Sequence, residues 1–298
     1  MELSDELIEV LLTQRESKRT SYADLAEEHL GDRSLGTALR STMRGYKKRN
    51  NIHTMLEPIG KLFGDALTLP ADPILIISDT HAPYQNKQLL MNAFNIARER
   101  CVKTLVHAGD LIDGAAYNSQ AKNEPVPPIE TEIEHARSIL YTATNYFDKI
   151  YILPGNHDAY YFKKEKLTFD EFIHAVILDG EYASVVTTTD HDYLFYSDYA
   201  IIGHLTNGYD MIAGKIAAQL ALKYRRHALV GHDHLFGMIQ AENGKYGISI
   251  GASFIPGSFA YKAKSYNTFP HTMLGFAIIQ DNRIHHFDVN CNERVYEG

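Results

Sequence analysis

Between residues 74 and 234 the chain repeats one pattern: a short apolar run, then a turn that carries Asp, Asn or His. The runs are Ile74-Leu75-Ile76-Ile77, Thr104-Leu105-Val106-His107-Ala108, Ile150-Tyr151-Ile152-Leu153, Ala200-Ile201-Ile202 and Ala228-Leu229-Val230. Such runs, too short for helices and rich in β-branched residues, read as buried strands. Between the first three, the period becomes helical. The pattern predicts a strand over 74–78, a helix over 86–100, a strand over 104–107, a helix over 129–147 and a strand over 150–153. The second helix turns Ile133, Ala136, Ile139, Leu140 and Ala143 inward. Residues 114–128 read as a loop, with Pro125, Pro127 and Pro128 stopping regular structure. A helical stretch over 169–178 precedes short strands over 182–189, 193–196 and 200–203. A helix over 209–224 leads into the strand 228–230. Two hairpins close the chain, turning at Asn243-Gly244 and Asp281-Asn282. Periodicity alone gives an α/β chain with a mixed sheet.

The first 65 residues have only helical period. Ser4 reads as a cap for a first helix whose apolar face is Leu7, Ile8, Leu11 and Leu12. Ser21 reads as the cap of a second helix over 22–30. A turn, Gly31-Asp32-Arg33-Ser34, comes next, with Ser34 expected to cap a third helix. On that helix Leu35, Leu39, Met43 and Tyr46 share one side, and Thr37, Arg40, Arg44, Lys47 and Lys48 the other. Helix, short glycine turn and basic second helix resemble a helix-turn-helix. The alternative is a packing or oligomerisation domain with a solvated basic face. Residues 58–73, punctuated by Pro58, Gly60, Gly64, Pro70 and Pro73, read as a junction. The domains expected are therefore 1–65, helical, and 73–298.

The chemistry sits at the strand ends. Ligands of open α/β sheets bind in the crevice outside the carboxyl ends of the strands. Five such ends here carry Asp79-Thr80-His81, Gly109-Asp110-Leu111-Ile112-Asp113, Gly155-Asn156-His157-Asp158, Gly203-His204 and Gly231-His232-Asp233-His234. Residues i and i+2 of an extended segment point the same way, so the Asp-x-His and His-x-His pairs could each serve one site. Histidine, at 15 residues, is enriched, and five of them fall in these motifs.

This ordered set of five motifs resembles the calcineurin-like metallophosphoesterase superfamily, over about residues 73–235. The resemblance implies a four-layer α/β/β/α sandwich, here with a small N-terminal helical domain. It also implies two divalent metal ions bridged by Asp110. Asp79, His81 and His234 complete one ion's protein ligands; Asn156, His204 and His232 complete the other's. The implied reaction is hydrolysis of a phosphate ester by a metal-bridging hydroxide. His157 faces the substrate as general acid, Asp113 orients it, and Asp158 supports the ligands from behind. Donors are oxygen and imidazole nitrogen with no thiolate, which suits Mn²⁺, Fe, Zn²⁺ or Ni²⁺ alike and disfavours Cu(I); Mn²⁺ is the first expectation among them. His174 and His191 compete with His204 as the lone histidine, but only His204 comes after an apolar run. His107 matches no ligand and reads as structural.

The substrate is less legible. Gly114 and Asp158, the latter followed by Ala159-Tyr160-Tyr161, stand where phosphoprotein phosphatases of the superfamily carry an arginine clamp. The compact Gly-Asn-His-Asp resembles the phosphodiesterase and nuclease branch. Tyr160-Tyr161-Phe162 followed by Lys163-Lys164 either stacks bases and contacts phosphates or packs beside a solvated lysine pair. The net charge of −8 argues against a general nucleic-acid coat, yet residues 33–61 hold seven Lys/Arg and one acid, Glu57. The leading expectation is a two-metal phosphodiesterase acting on DNA or RNA, with Arg40, Arg44, Lys47 and Lys48 as nucleic-acid contacts. The alternatives are a phosphomonoesterase or a small-nucleotide or cyclic-nucleotide phosphodiesterase with an oligomerising N-terminal domain, and a non-catalytic nucleic-acid-binding regulator. Two unclustered cysteines, Cys101 and Cys291, no export signal and no long apolar run suggest a cytoplasmic protein with no membrane span.

Overall fold

The computed structural model describes residues 3–18, 21–49, 66–118, 121, 125–204, 210–259 and 272–297. The chain forms two compact units, Met1–Gly64 and Asp65–Gly298.

In the first unit, α1 (Asp5–Lys18) begins where Ser4 Oγ accepts the Leu7 amide at 3.3 Å. α2 (Tyr22–Leu30) begins with Ser21 Oγ on the Asp24 amide at 3.1 Å. It ends at Gly31, left-handed at φ 71°, whose amide returns to Ala26 and Glu27. The third helix does not start at Ser34 as expected. Asp32 is the cap: its Oδ1 accepts the Ser34 amide at 2.8 Å and opens a 3₁₀ turn, Arg33–Leu35. Ser34 is thereby inside the turn, and α3 (Gly36–Arg49) comes after it. Gly36 lets the helices approach, since a Cβ there would lie 2.9 Å from the Ala23 backbone. Ile8, Leu11, Leu12, Leu25, Ala26, Leu39, Met43 and Tyr46 are buried together. Arg40 and Arg44 are exposed. The side chains of Lys47 and Lys48 lie outside the described residues.

The second unit comprises β1 (Thr68–Leu69), β2 (Ile74–Ile77), α4 (Lys87–Glu99), β3 (Thr104–His107), α5 (Ile129–Thr144), β4 (Lys149–Ile152), α6 (Asn156–Lys164), α7 (Phe169–Glu171), β5 (Val186–Thr188), β6 (Tyr193–Tyr196), β7 (Ala200–His204), α8 (Lys215–Tyr224), β8 (His227–Gly231), β9 (Phe236–Gln240), β10 (Tyr246–Ile250), β11 (Gly275–Gln280), β12 (Arg283–Asp288) and β13 (Glu293–Glu297). One sheet runs β13-β12-β11-β2-β3-β4-β5, the other β1-β6-β7-β8-β10-β9. The side-chain alternation of the strands assigns the layers. Leu75 and Ile77 of β2, Leu105 of β3 and Phe276 and Ile278 of β11 face a core shared with Leu90 and Phe94 of α4 and Ile139 and Leu140 of α5. Their neighbours Ile74, Ile76, Val106, Ala277 and Ile279 face Ala200, Ile202, Leu229 and Ile248 of the second sheet. Ile201, Ala228 and Val230 pack outward on Ala217 and Ala221 of α8. The order is helix, sheet, sheet, helix, the four-layer sandwich. Strands covered on both faces read as near-continuous apolar runs, which is why β2 and the middles of β3 and β8 lack polar alternation. Each fully buried Ile or Leu contributes roughly 1.5–3 kcal/mol.

Several elements differ from expectation. The loop 114–128 contains a 3₁₀ turn, Ala115–Tyr117. The helix after Phe169 runs from α7 into a π-helical segment, Phe172–Ile177, whose wider turn buries Phe172, Ile173 and Ile177 together. β5 is shorter than the expected strand. The expected start of the helix over 209–224 meets residues 205–209, which lie outside the described residues; α8 itself begins at Lys215. β1 pairs parallel with β6 and β13 extends the final hairpin to a meander; neither was expected. Asp281 and Asn282 are both left-handed, at φ 53° and 56°, as a two-residue hairpin requires.

His286 of β12 is a buried polar group between the sheets. One ring nitrogen, Nε2, donates to Ile250 O at 3.0 Å, and the ring stacks on Phe236 at 3.8 Å. Burial, the largest influence, pushes it down to about 4. The unfolded chain, with histidine near ~6.5, therefore takes up the proton first as pH falls. Stability present above pH ~6.5 is lost as pH falls toward 4, and His286 accounts for on the order of 2–3 kcal/mol of that loss. Thermal melts across this window are expected to show the decline, and a His286→Asn chain a shallower one. Parallel curves for the two chains would contradict this assignment.

Candidate metal centre

The site gathers at the carboxyl ends of β2, β3, β4, β7 and β8. Every residue expected to bind metal is there. Asp79, His81, Asp110 and His234 bring one ligand atom each to within 4.8 Å of one another, and so do Asp110, His204 and His232. Asp110 belongs to both groups. Asn156, the first residue of α6, places Oδ1 3.2 Å from His204 Nε2. Asp79, His81, Asp110 and His204 are all buried.

The backbone that presents these side chains is not the extended one anticipated for the Asp-x-His and His-x-His pairs. Asp79 (φ 54°), His81 (42°), Asp110 (55°), His232 (84°) and His234 (55°) are all left-handed. Each lies just past a strand end, where the chain reverses. Left-handed non-glycine residues are strained by about 1–3 kcal/mol each, and persist where neighbours over-determine them. The neighbours here are the loops themselves. The Asp79 amide bonds Gly109 O at 3.0 Å, the His81 amide bonds Asp110 O at 3.1 Å, and the Ala82 amide bonds Leu111 O at 2.9 Å. The carboxylates take part as well. Asp79 accepts the His232 amide at 3.1 Å, and Asp110 Oδ1 accepts the His157 amide at 2.8 Å.

The donor set fits divalent cations. His204 Nδ1 donates to Ala108 O at 2.8 Å, which turns Nε2 toward Asp110 Oδ2 and Asn156 Oδ1, both at 3.2 Å. Asp113 Oδ1 holds His81 Nδ1 at 3.1 Å, which turns His81 Nε2 toward His234 Nε2, 3.1 Å away. His234 Nε2 is also 3.3 Å from Asp79 Oδ1. Carboxylate oxygens and imidazole nitrogens converging in one buried pocket are costly to desolvate, and a divalent cation among them would offset that cost.

The charges obey the same geometry. Burial works against the Asp79 carboxylate, yet His234 and His204 hold it well below the usual range. Burial likewise opposes Asp110, and His204 and His157 hold it low. His204 is buried too, but Asp110 dominates the net result and raises it to about 10. His81 and His232 go the other way, pushed down to about 4 by burial first and then by neighbouring histidines. The two carboxylates thus stay ionised and His81 and His232 neutral, the states that metal ligation needs, while His204 holds a second proton against Asp110 that a metal would displace.

His157, the second residue of α6, is near the cluster but turned differently. Its Nδ1 donates to Asp113 O at 2.6 Å and lies 3.3 Å from Asp113 Oδ1. Burial lowers its proton affinity, but Asp110 and Asp113 outweigh that and raise it. Asp113 therefore serves two rings, His81 through its carboxylate and His157 mainly through its carbonyl. Asp158 accepts the Ile112 amide at 3.0 Å and the Gly155 amide at 2.9 Å, tying the turn after Asp110 to the start of α6. Burial first, then Asp110, raise it to about 6.

The remaining candidates separate cleanly. His107 bonds Thr80 Oγ1 at 3.0 Å, a structural position. His174 lies by Asp170 and His191 against Tyr193, and neither joins a ligand group. In the run after His157, Phe162 is buried against Phe169 and Phe172, and Tyr161 packs on Tyr117 and Phe172. Tyr160 alone lies beside His157, with ring centres 5.2 Å apart. Lys163 and Lys164 are exposed.

Sequence reasoning missed α6 itself, the aromatic wall of Phe254 and Phe259 against His81 (5.1 and 5.0 Å), and Glu132. Phe254 also meets His234, at 4.9 Å. No signal near the motifs points to Glu132, Phe254 or Phe259, so distant in the chain, whereas α6 opens inside the Gly155–Asp158 motif.

The fold and the centre define a metal-dependent phosphoesterase. Comparison with family models agrees: the calcineurin-like phosphoesterase model matches residues 72–236, and the chain belongs to that family. Its members bind divalent metals, and this centre offers the ligands. Among solved structures, an archaeal phosphodiesterase is 15% identical, covering 75% of this chain and 98% of its own, with a TM-score of 0.39. Vacuolar protein sorting 29 from Cryptosporidium parvum is 15% identical, with coverages of 76% and 95% and a TM-score of 0.42. The E. coli phosphoesterase YfcE is 10% identical, with coverages of 75% and 98% and a TM-score of 0.40. No curated protein matches the sequence. Among the described residues, no helix is long and apolar enough to cross a membrane.

Proposed function

We propose that the protein hydrolyses a phosphodiester, with DNA or RNA as the substrate class, using two divalent ions of which Mn²⁺ is the first candidate. Asp79, His81 and His234 would hold one ion, Asn156, His204 and His232 the other, and Asp110 both. Bound ions would neutralise phosphate oxygens and acidify the attacking water.

The observation that carries the reading is the pairing of that acceptor cluster with a histidine held in one orientation. His157 Nδ1 is committed to Asp113 O, so Nε2 is the atom left to face substrate. Attack of water on phosphorus breaks the bond to the ester oxygen. His157 Nε2 then gives its proton to that oxygen, and the products are a phosphomonoester and an alcohol. A proton donor matters most when the leaving group is a poor one, such as the ribose or deoxyribose oxygen of a nucleic acid. Exposed Arg40 and Arg44 on α3, and Tyr160 beside His157, suit the same substrate class.

The test is hydrolysis with added Mn²⁺ of bis-p-nitrophenyl phosphate, p-nitrophenyl phosphate, and labelled single- and double-stranded DNA and RNA. The diester and at least one nucleic acid are expected to be cleaved. Nucleic-acid binding should weaken in an Arg40→Ala, Arg44→Ala chain, with a shallower dependence on salt. Cleavage of the monoester alone would overturn the diester reading.

A further inference from the structure

Glu132 is buried in the first turn of α5, among residues to which neither the metal ligands nor the acid–base pair belongs. Its Oε2 accepts the Gly114 amide at 2.6 Å. That amide and the Asp113 carbonyl are two ends of one peptide group. The carbonyl end accepts His157 Nδ1, also at 2.6 Å. The order is Glu132 carboxylate, Gly114 N–H, Asp113 C=O, His157 Nδ1–H.

We propose that Glu132 is a positioning residue that acts on His157 through the Asp113–Gly114 peptide group. A peptide is polarisable along its N–H to C=O axis. An anion bonded at the N–H end shifts electron density toward the oxygen and strengthens it as an acceptor; hydrogen bonds in such a chain reinforce one another in a low-dielectric interior. The carbonyl then grips Nδ1–H more firmly and fixes the ring plane, so that Nε2 is held in one direction for delivery of its proton. The same bond stops the peptide from rotating, because Gly114 is left-handed at φ 59° and a glycine would otherwise move freely. The close approach is tight on the other side as well: a Cβ on Gly114 would lie 2.5 Å from His157 O. Glu132 is thus far from the reacting phosphorus in bonds but directly in line with the acid. Its carboxylate also bonds the backbone of Ala115, one residue further along the same turn.

The inference rests on His157 acting as general acid, so the experiment separates the two. Burial pushes Glu132 up to about 8. Assays at pH ~9 therefore compare an ionised wild-type carboxylate with its neutral isostere in Glu132→Gln. Two diesters are used with the Mn²⁺-loaded full chain. One has a p-nitrophenolate leaving group, which departs without a proton; the other has an alkoxide leaving group. Glu132→Gln is expected to lower kcat on the alkoxide ester by about tenfold, with KM and metal content unchanged, and to change the p-nitrophenyl ester less than about threefold. Glu132→Ala, which leaves the Gly114 amide without its acceptor, should show the same selectivity more strongly. In a His157→Ala background neither substitution should lower kcat further. If Glu132→Gln slows both esters equally, or its effect persists without His157, the relay is wrong and Glu132 merely supports the fold. An alkoxide-ester kcat unchanged in Glu132→Gln while His157→Ala loses activity also overturns it. If His157→Ala itself shows no selective loss on the alkoxide ester, the general-acid reading fails, and the relay fails with it.

Discussion

Replacing Asp110 by asparagine is expected to abolish metal-dependent hydrolysis, by about 10³-fold or more, while the sandwich stays folded. Asp110 is the one side chain shared by both ligand groups. Its Oδ2 stands 3.2 Å from His204 Nε2 and 3.6 Å from His81 Nε2, one from each group. Two divalent ions at close range repel strongly unless an anion lies between them. The asparagine carbonyl oxygen is neutral and its amide nitrogen is a donor, which is the wrong partner for a cation. The expected signature is therefore double: turnover is lost, and elemental analysis finds fewer bound ions per chain. His157 would meanwhile lose one of the two carboxylates that raise its proton affinity. Activity within tenfold of wild type, or a full complement of metal in the variant, would refute the bridging role.

The second large effect is expected from one methyl group. Gly155 precedes Asn156 and has φ −98°, ψ 171°, a conformation that alanine adopts without strain. Space is the obstacle. A Cβ there would lie 2.1 Å from both the amide nitrogen and Oδ1 of Asp110, and 2.7 Å from its Cα. The obstruction is backbone, which cannot swing aside, so the end of β4 must part from the end of β3. That separation moves Asn156 and His157 away from Asp110 and breaks the 2.8 Å bond from the His157 amide. Gly155→Ala is expected to cost ~3 kcal/mol or more, at the upper end for overpacking. It should lower the melting temperature by roughly 6–12 °C for a unit of this size and remove most activity. Gly180→Ala is the comparison: it is left-handed at φ 80° with nothing within 4 Å. It should cost only the conformational strain, about 1–2 kcal/mol, and leave activity intact. Similar melts for the two variants would contradict the close approach.

Much of the centre was legible because its parts obey a local rule. A short buried strand is an unmistakable apolar run, and the residues just past its carboxyl end face the crevice. Asp79, Asp110, Asn156, His204 and His232 could be placed from that rule and the family resemblance together. The conformation behind the rule was not legible. Left-handed turns at Asp79, His81, His232 and His234 are imposed by bonds from loops far apart in the chain, and no neighbouring residue announces them. Boundaries failed where a competing local bond decides. Asp32 displaced Ser34 as a cap because its carboxylate reaches the turn first. α6 went unseen because it opens within the Gly-Asn-His-Asp motif itself, whose residues were read only for their chemistry. Glu132 looked like an ordinary acid in the first turn of a helix, where acids are favoured anyway. Only the fold reveals which peptide it meets.

The main-chain bonds that join the turn at Asp79 to the turn at Asp110 have a consequence for how such a protein can change over time. Among the described residues they tie Asp79, His81 and Ala82 directly to Gly109, Asp110 and Leu111, and the segment that follows Phe254 returns to the site where the Met273 amide bonds His234 O. Residues elsewhere in the loops can therefore change in number while the ligand atoms of Asp79, His81 and Asp110 stay in register. A centre built this way separates what holds its first ligand atoms from much of the chain that surrounds them.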